Sequence, residues 1–89
     1  MKFLVYILYS ERLDKFYAGY AKDVTKRLDE HNRGKGNFTA KGIPWIIVTT
    51  FPVATRAEAV QLELQIKKRG IRRYLMDKGG NPIPGNLGT

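Results

Sequence analysis

Phe3, Val5, Ile7 and Tyr9 alternate with Leu4, Tyr6 and Leu8, so a strand over residues 3 to 9 is apolar on both faces. Such a strand belongs at the centre of a sheet, covered on each side. The polar break from Ser10 to Lys15, with Glu11, Arg12 and Asp14, is short enough for a hairpin, and Phe16 to Ala21 resumes as an antiparallel second strand. If Ser10 pairs with Lys15, the register sets Tyr6 opposite Gly19 and Leu8 opposite Tyr17. Tyr6 and Tyr17 then share one face, and a slip of one residue would separate them.

Asp23 is a good N-cap for a helix running to Arg33, with Val24 and Leu28 on its buried side and Gly34 as its stop. Arg27 and His31, four apart, form a neighbouring stripe that can point across the sheet. Residues 32 to 44 are rich in Gly and Lys and read as a long loop. Trp45 to Phe51 is a third strand, ended by Pro52. The capping box Thr55-Arg-Ala-Glu58 then opens a helix to about Arg69, packed through Ala59, Leu62 and Ile66. A short helix from Ile71 to Asp77 follows the break at Gly70. One domain over residues 1 to 78 is expected, with 79 to 89 as an extended or disordered Gly/Pro-rich tail.

Composition narrows what such a domain does. Sixteen Lys and Arg against eight Asp and Glu give a net charge of +8 over 89 residues, which favours a polyanionic partner such as nucleic acid. No basic amphipathic helix with bulky apolar anchors points to a membrane surface. With no cysteine and one histidine, thiolate chemistry and a zinc cluster are excluded, and any metal is held mainly by oxygen. The stretch from Met1 to Leu8 is too short for a signal-peptide core or a membrane span, so a soluble, cytoplasmic protein is expected.

Each candidate residue has an ordinary reading beside a chemical one. Glu63 borders the buried stripe of its helix; it can pair with Lys67 or serve as the single carboxylate for Mg²⁺, which keeps most of its own waters. Arg27 can bridge to Asp23 or make a bidentate contact to a phosphodiester. His31 can move a proton near neutral pH or simply face the helix dipole. Tyr6 and Tyr17 are core aromatics unless nearby cations lower the cost of losing a proton. Gly19 is a plain strand glycine or a point where a ring or substrate approaches the backbone. Arg33, Lys35 and Lys41 in the loop, with Lys67, Lys68, Arg69, Arg72 and Arg73, can grip a phosphate backbone, the last five having few acids near them in sequence. Trp45 reads as a core residue.

Together these positions resemble the GIY-YIG endonuclease superfamily, which includes homing endonucleases, the N-terminal nuclease domains of excinucleases, and small stand-alone bacterial members. Val5-Tyr6-Ile7 stands where the family has Gly-Ile-Tyr, and Tyr17-Ala18-Gly19 stands for Tyr-Ile-Gly. Arg27, His31 and Glu63 follow in the family's order, and the match covers roughly residues 3 to 77. Where the excinuclease domains place a lysine three residues after the second motif tyrosine, this chain has Tyr20. A late polar residue used by some members falls near Leu75.

The resemblance implies an α/β (α+β) fold with a central three-stranded antiparallel sheet flanked by helices. It also implies a cation, Mg²⁺ or Mn²⁺, on Glu63, and in-line attack by water that leaves a 5′ phosphate and a 3′ hydroxyl. On that pattern Tyr6 or Tyr17 helps activate the water, Arg27 stabilises the phosphoryl charge, and His31 assists proton transfer or positions a tyrosine. The expected activity is a metal-dependent DNA endonuclease with little sequence preference, acting on branched, nicked or unpaired DNA. The alternatives are a nucleic-acid-binding module on the same fold with weak or no turnover, and a protein-interaction domain whose charge serves solubility.

Overall fold

The computed structural model describes residues 2 to 34 and 39 to 78; Lys35 and the expected tail from residue 79 lie outside the described residues. The chain runs β1 (Phe3–Ser10), β2 (Lys15–Ala21), α1 (Val24–Asn32), a 3₁₀ turn (Thr39–Gly42), β3 (Trp45–Val53), α2 (Arg56–Arg69) and α3 (Ile71–Asp77). The three strands form one antiparallel sheet in the order β2-β1-β3, with helices on both faces. The doubly apolar β1 takes the centre, because only there are both of its faces removed from water. Among the described residues no helix is long and apolar enough to cross a membrane.

The β1–β2 register is the one the short hairpin demands: Ser10 opposes Lys15, Leu8 opposes Tyr17 and Tyr6 opposes Gly19. Asp14 closes the turn at φ 50°, and its carboxylate accepts the Tyr9 hydroxyl at 2.7 Å. The odd residues of β1 pack with Ala18 against α2 and α3: Phe3, Val5 and Ile7 meet Ala59, Ile66 and Leu75. The even residues Tyr6 and Leu8 pack on the other side with Val24 of α1 and Trp45.

Pro52 corrects the expected end of the third strand. β3 continues to Val53, with Pro52 paired opposite Leu4. A proline is tolerated because β3 is an edge strand, where a ring nitrogen without a proton can face outward at no cost in sheet bonds. β3 also carries an irregularity opposite Ile7 and Leu8, where Val48 has no partner between Thr49 and Ile47.

The helix ends follow their caps. Asp23 accepts the Lys26 amide at 3.0 Å, and Thr55 accepts the Glu58 amide at 3.2 Å. Gly70 has φ 95°, a conformation open to glycine, and it separates α2 from α3. At its far end α1 is fixed to β3. The Asn32 side chain accepts the Trp45 amide at 2.6 Å and donates to the Trp45 carbonyl at 3.1 Å. That clamp sets the position of the neighbouring His31.

Candidate active site

At the β2 edge of the sheet an open cleft of about 320 Å³ is lined by Tyr6, Tyr17, Gly19, Tyr20, Arg27, Arg56 and Glu63. Residues from both layers meet there: Tyr6, Tyr17 and Gly19 from one sheet face, Tyr20 from the other, Arg27 from α1, and Arg56 and Glu63 from α2. A chain this short offers a surface cleft and no deep cavity, since most of its buried volume is already side chain.

The approach of Tyr6 to β2 depends on Gly19. A Cβ at that position would stand 2.6 Å from the Tyr6 hydroxyl oxygen and 2.8 Å from its Cζ, closer than such atoms can pack. The absent side chain is what lets the ring lie against the backbone. Tyr6 is 2% exposed, and its hydroxyl is 3.2 Å from His31 Nε2. The Tyr17 ring packs on His31 at 5.1 Å between centroids, on Trp45 at 6.2 Å and on Tyr6 at 6.5 Å. His31 is itself buried and stands behind the two tyrosines, outside the residues that line the cleft.

Burial sets the protonation of this group. Removal from water pushes the Tyr6 phenol up, partly opposed by a hydrogen bond with the Arg27 guanidinium. Burial, reinforced by the positive charge of Arg27, holds His31 below the usual imidazole range. Arg27 is raised in turn, chiefly by its bond to Tyr6 and also by Glu30. At neutral pH the cluster therefore holds a neutral phenol, a neutral imidazole and a charged guanidinium.

Of the two expected ion pairs one forms and one does not. Arg27 pairs with Glu30 at 3.3 Å and not with Asp23, whose carboxylate is occupied in capping α1. Glu63 does accept from Lys67, at 2.7 Å through Oε1. Pairs this exposed contribute about 0.2–1 kcal/mol, little enough for a phosphate to displace them.

The basic positions do not form one free patch. Arg69 is bidentate to Asp77 at 2.7 and 3.1 Å, and Arg72 reaches Asp14 at 3.4 Å while lying over Phe16. Arg33 pairs with Asp29 at 3.0 Å. The cluster at 67 to 73 thus has acids near it in space that are distant in sequence. Lys68 and Arg73 form no ion pair among the described residues, and Lys41 is exposed. Arg56 and Tyr20 were not among the expected site residues. The available signal was the spacing of Arg56 and Glu63, seven residues or two helical turns, which places both on one stripe of α2.

Among the described residues no three His, Cys, Asp or Glu side chains gather to cage a metal. Among the described residues Glu63 is the only carboxylate lining this cleft, with its Oε2 outside the Lys67 bond. That donor set suits an oxygen-loving ion that keeps most of its waters, as Mg²⁺ does.

Residues 2 to 74 match the GIY-YIG catalytic domain model. UPF0213 proteins of Staphylococcus aureus strains Mu3 and N315 are each 42% identical over 52 residues, which cover 57% of this chain. The match spans 63% of the length of those relatives. The solution NMR structure of a UPF0213 protein from Bacillus halodurans superposes with a TM-score of 0.56 at 32% identity, covering 92% of this chain and 89% of that one. The sheet order, the tyrosine pair across the hairpin and these matches lead to one conclusion: the chain belongs to the GIY-YIG family.

Proposed function

We propose that this protein is a divalent-metal-dependent endonuclease that cuts DNA phosphodiester bonds with little sequence preference. Membership of the GIY-YIG family supports nucleic acid as its substrate class. The observation that carries the finer reading is the convergence of Tyr6, Tyr17, Arg27 and Glu63 on one cleft. Weak sequence preference is expected because the candidate contacts are Lys and Arg side chains suited to phosphate, and phosphate contacts position a strand without reading its bases.

Glu63 would hold the ion, which when bound neutralises charge on the phosphate oxygens. The chain's own groups do the rest. Arg27 carries a guanidinium whose planar fork can donate to two oxygens of the phosphate as negative charge builds on them. Its pair with Glu30 is exposed and exchangeable. Water attacks phosphorus in line with the 3′ oxygen, whose bond to phosphorus breaks, leaving a 5′ phosphate. The departing oxygen takes a proton from solvent in the open cleft.

Tyr6 is a poor base alone, because burial favours its neutral form. In contact with His31 it can act as a relay, accepting the water's proton as it passes its own to Nε2. The neutral imidazole is the form that can accept it. Tyr17, half-buried at the cleft wall, packs on His31 and fixes the ring's orientation.

One observation favours binding without turnover: Glu63 and Arg27 are both engaged by neighbours within the chain. The test incubates the protein with supercoiled plasmid, branched DNA and single-stranded DNA in Mg²⁺ or Mn²⁺, beside Glu63→Ala and Arg27→Ala. Cleavage by the wild type that both substitutions abolish supports the nuclease. Cleavage surviving both belongs to a contaminant, and salt-sensitive binding without cleavage supports the binding module.

A further inference from the structure

Arg56, like Lys68 and Arg73, forms no ion pair among the described residues, and of the Lys and Arg side chains on α2 and α3 it is the one that lines the cleft. Lys67, Arg69 and Arg72 are each held by a carboxylate. Its guanidinium lies 5.6 Å from the centroid of the Phe3 ring, and Lys22 Nζ lies 5.4 Å from the same centroid. Phe3 is 8% exposed and fixed in the core, with Tyr20 against it edge-on at 6.2 Å.

An aromatic ring steadies a guanidinium without occupying its N–H donors, so Arg56 keeps its hydrogen-bonding capacity for a ligand. It also occupies the first turn of α2, where the helix dipole disfavours a cation. A local cost of that kind is expected where a residue serves something other than its own helix.

The two arginines of the cleft are anchored to different partners. Arg27, on α1, is paired with Glu30 and stands near the Tyr6 phenol, and Arg56, on α2, rests on Phe3 beside Tyr20. Both line the same cleft, with Glu63 two turns beyond Arg56 on the same helix. One phosphate seated against the tyrosines and Glu63 satisfies Arg27. Arg56 then faces the strand where it enters or leaves.

We propose that Arg56 contacts a second phosphate of the substrate strand, next to the one that is cut, with Lys22 reinforcing the positive field. It is a positioning residue: it aligns the strand and takes no part in the transfer at phosphorus. This inference rests on the nucleic-acid reading of the cleft.

The test measures binding of a short fluorescein-labelled single-stranded DNA to the full chain in EDTA, where cleavage is silent, across a range of salt. Each phosphate contact to a single strand contributes about 0.7 to the slope of log affinity against log salt. Arg56→Ala is expected to lower the slope by about that amount, and Arg56→Lys to retain it, because the charge remains. The Arg27→Ala/Arg56→Ala double variant should lose the sum of the two single reductions, since two phosphates are involved. Thermal melts accompany each variant, and Arg56→Gln replaces the alanine if that variant is unfolded.

An unchanged slope with a lowered melting temperature would assign Arg56 to structure and overturn the proposal. A double variant that loses no more than one single variant places both arginines on one phosphate and also overturns it. Wild-type protein that fails to bind at low salt removes the nucleic-acid reading itself, and this inference with it.

Discussion

The two faces of β1 are built from the same strand and do different work. Its odd residues, Phe3, Val5 and Ile7, meet the aliphatic side chains of α2 and α3, and the centre of that layer is closed by burial, while Tyr20, Arg56 and Glu63 at its rim reach the cleft. Its even residues, Tyr6 and Leu8, meet Trp45, Val24 and Tyr17, with the buried polar groups His31 and Ser10 among them. Ser10 donates to the Gly42 carbonyl at 2.6 Å, and His31 contacts Tyr6, so each buried polar group is satisfied. The first face can be altered at a cost in stability. Alteration of the second is expected to change the proposed chemistry of the cleft, because Tyr6 belongs both to its core and to the cleft lining.

The sharpest break of this comparison is Ile66→Ala. Ile66 is fully buried on the aliphatic face, and its truncation should cost about 2–5 kcal/mol in urea unfolding while the folded fraction keeps its cleavage rate. A proportional fall in activity per folded molecule would show that the two faces are not separable. Gly19→Ala should cost about 1–3 kcal/mol, because the new methyl overlaps the Tyr6 hydroxyl. Here cleavage should fall further than the melting temperature accounts for, since Tyr6 must move.

Tyr6→Phe removes one hydroxyl from the polar face and leaves the His31 nitrogen without that partner. A stability loss of about 1 kcal/mol is expected, together with loss of cleavage. Wild-type rates in this variant would exclude the phenol from the reaction.

The smallest effect concerns pH. His31 is held below its ordinary value of 6.5, so the unfolded chain binds its proton more readily than the folded one. Stability is then complete above about pH 6.5 and declines as pH falls below it toward the folded value. His31→Asn should flatten that part of the pH–stability curve. An unchanged curve would mean that the decline comes from carboxylates.

Local signals carried much of this fold. The hairpin's short break set the register that aligns Tyr6 with Gly19, and Asp23 and Thr55 marked both long helices by capping chemistry that acts within three residues. Pro52 lies within β3, against the local signal, because a proline ends a strand only where its missing proton is needed. Whether it is needed depends on which strand lies at the edge.

The sequence alone determined the register that sets Tyr6 and Tyr17 on one face and the stripe that carries Arg27 and His31, since turn length and periodicity are properties of neighbouring residues, whereas Glu63 was joined to them only by the family resemblance. Tertiary structure decided which charges remain available. Arg72 meets Asp14 across 58 positions, Arg69 turns to Asp77, and Arg56 comes to rest on Phe3 in the cleft. Electrostatic pairing depends on distance in space, and in this chain the distances that matter are made by packing helices on both faces of one sheet.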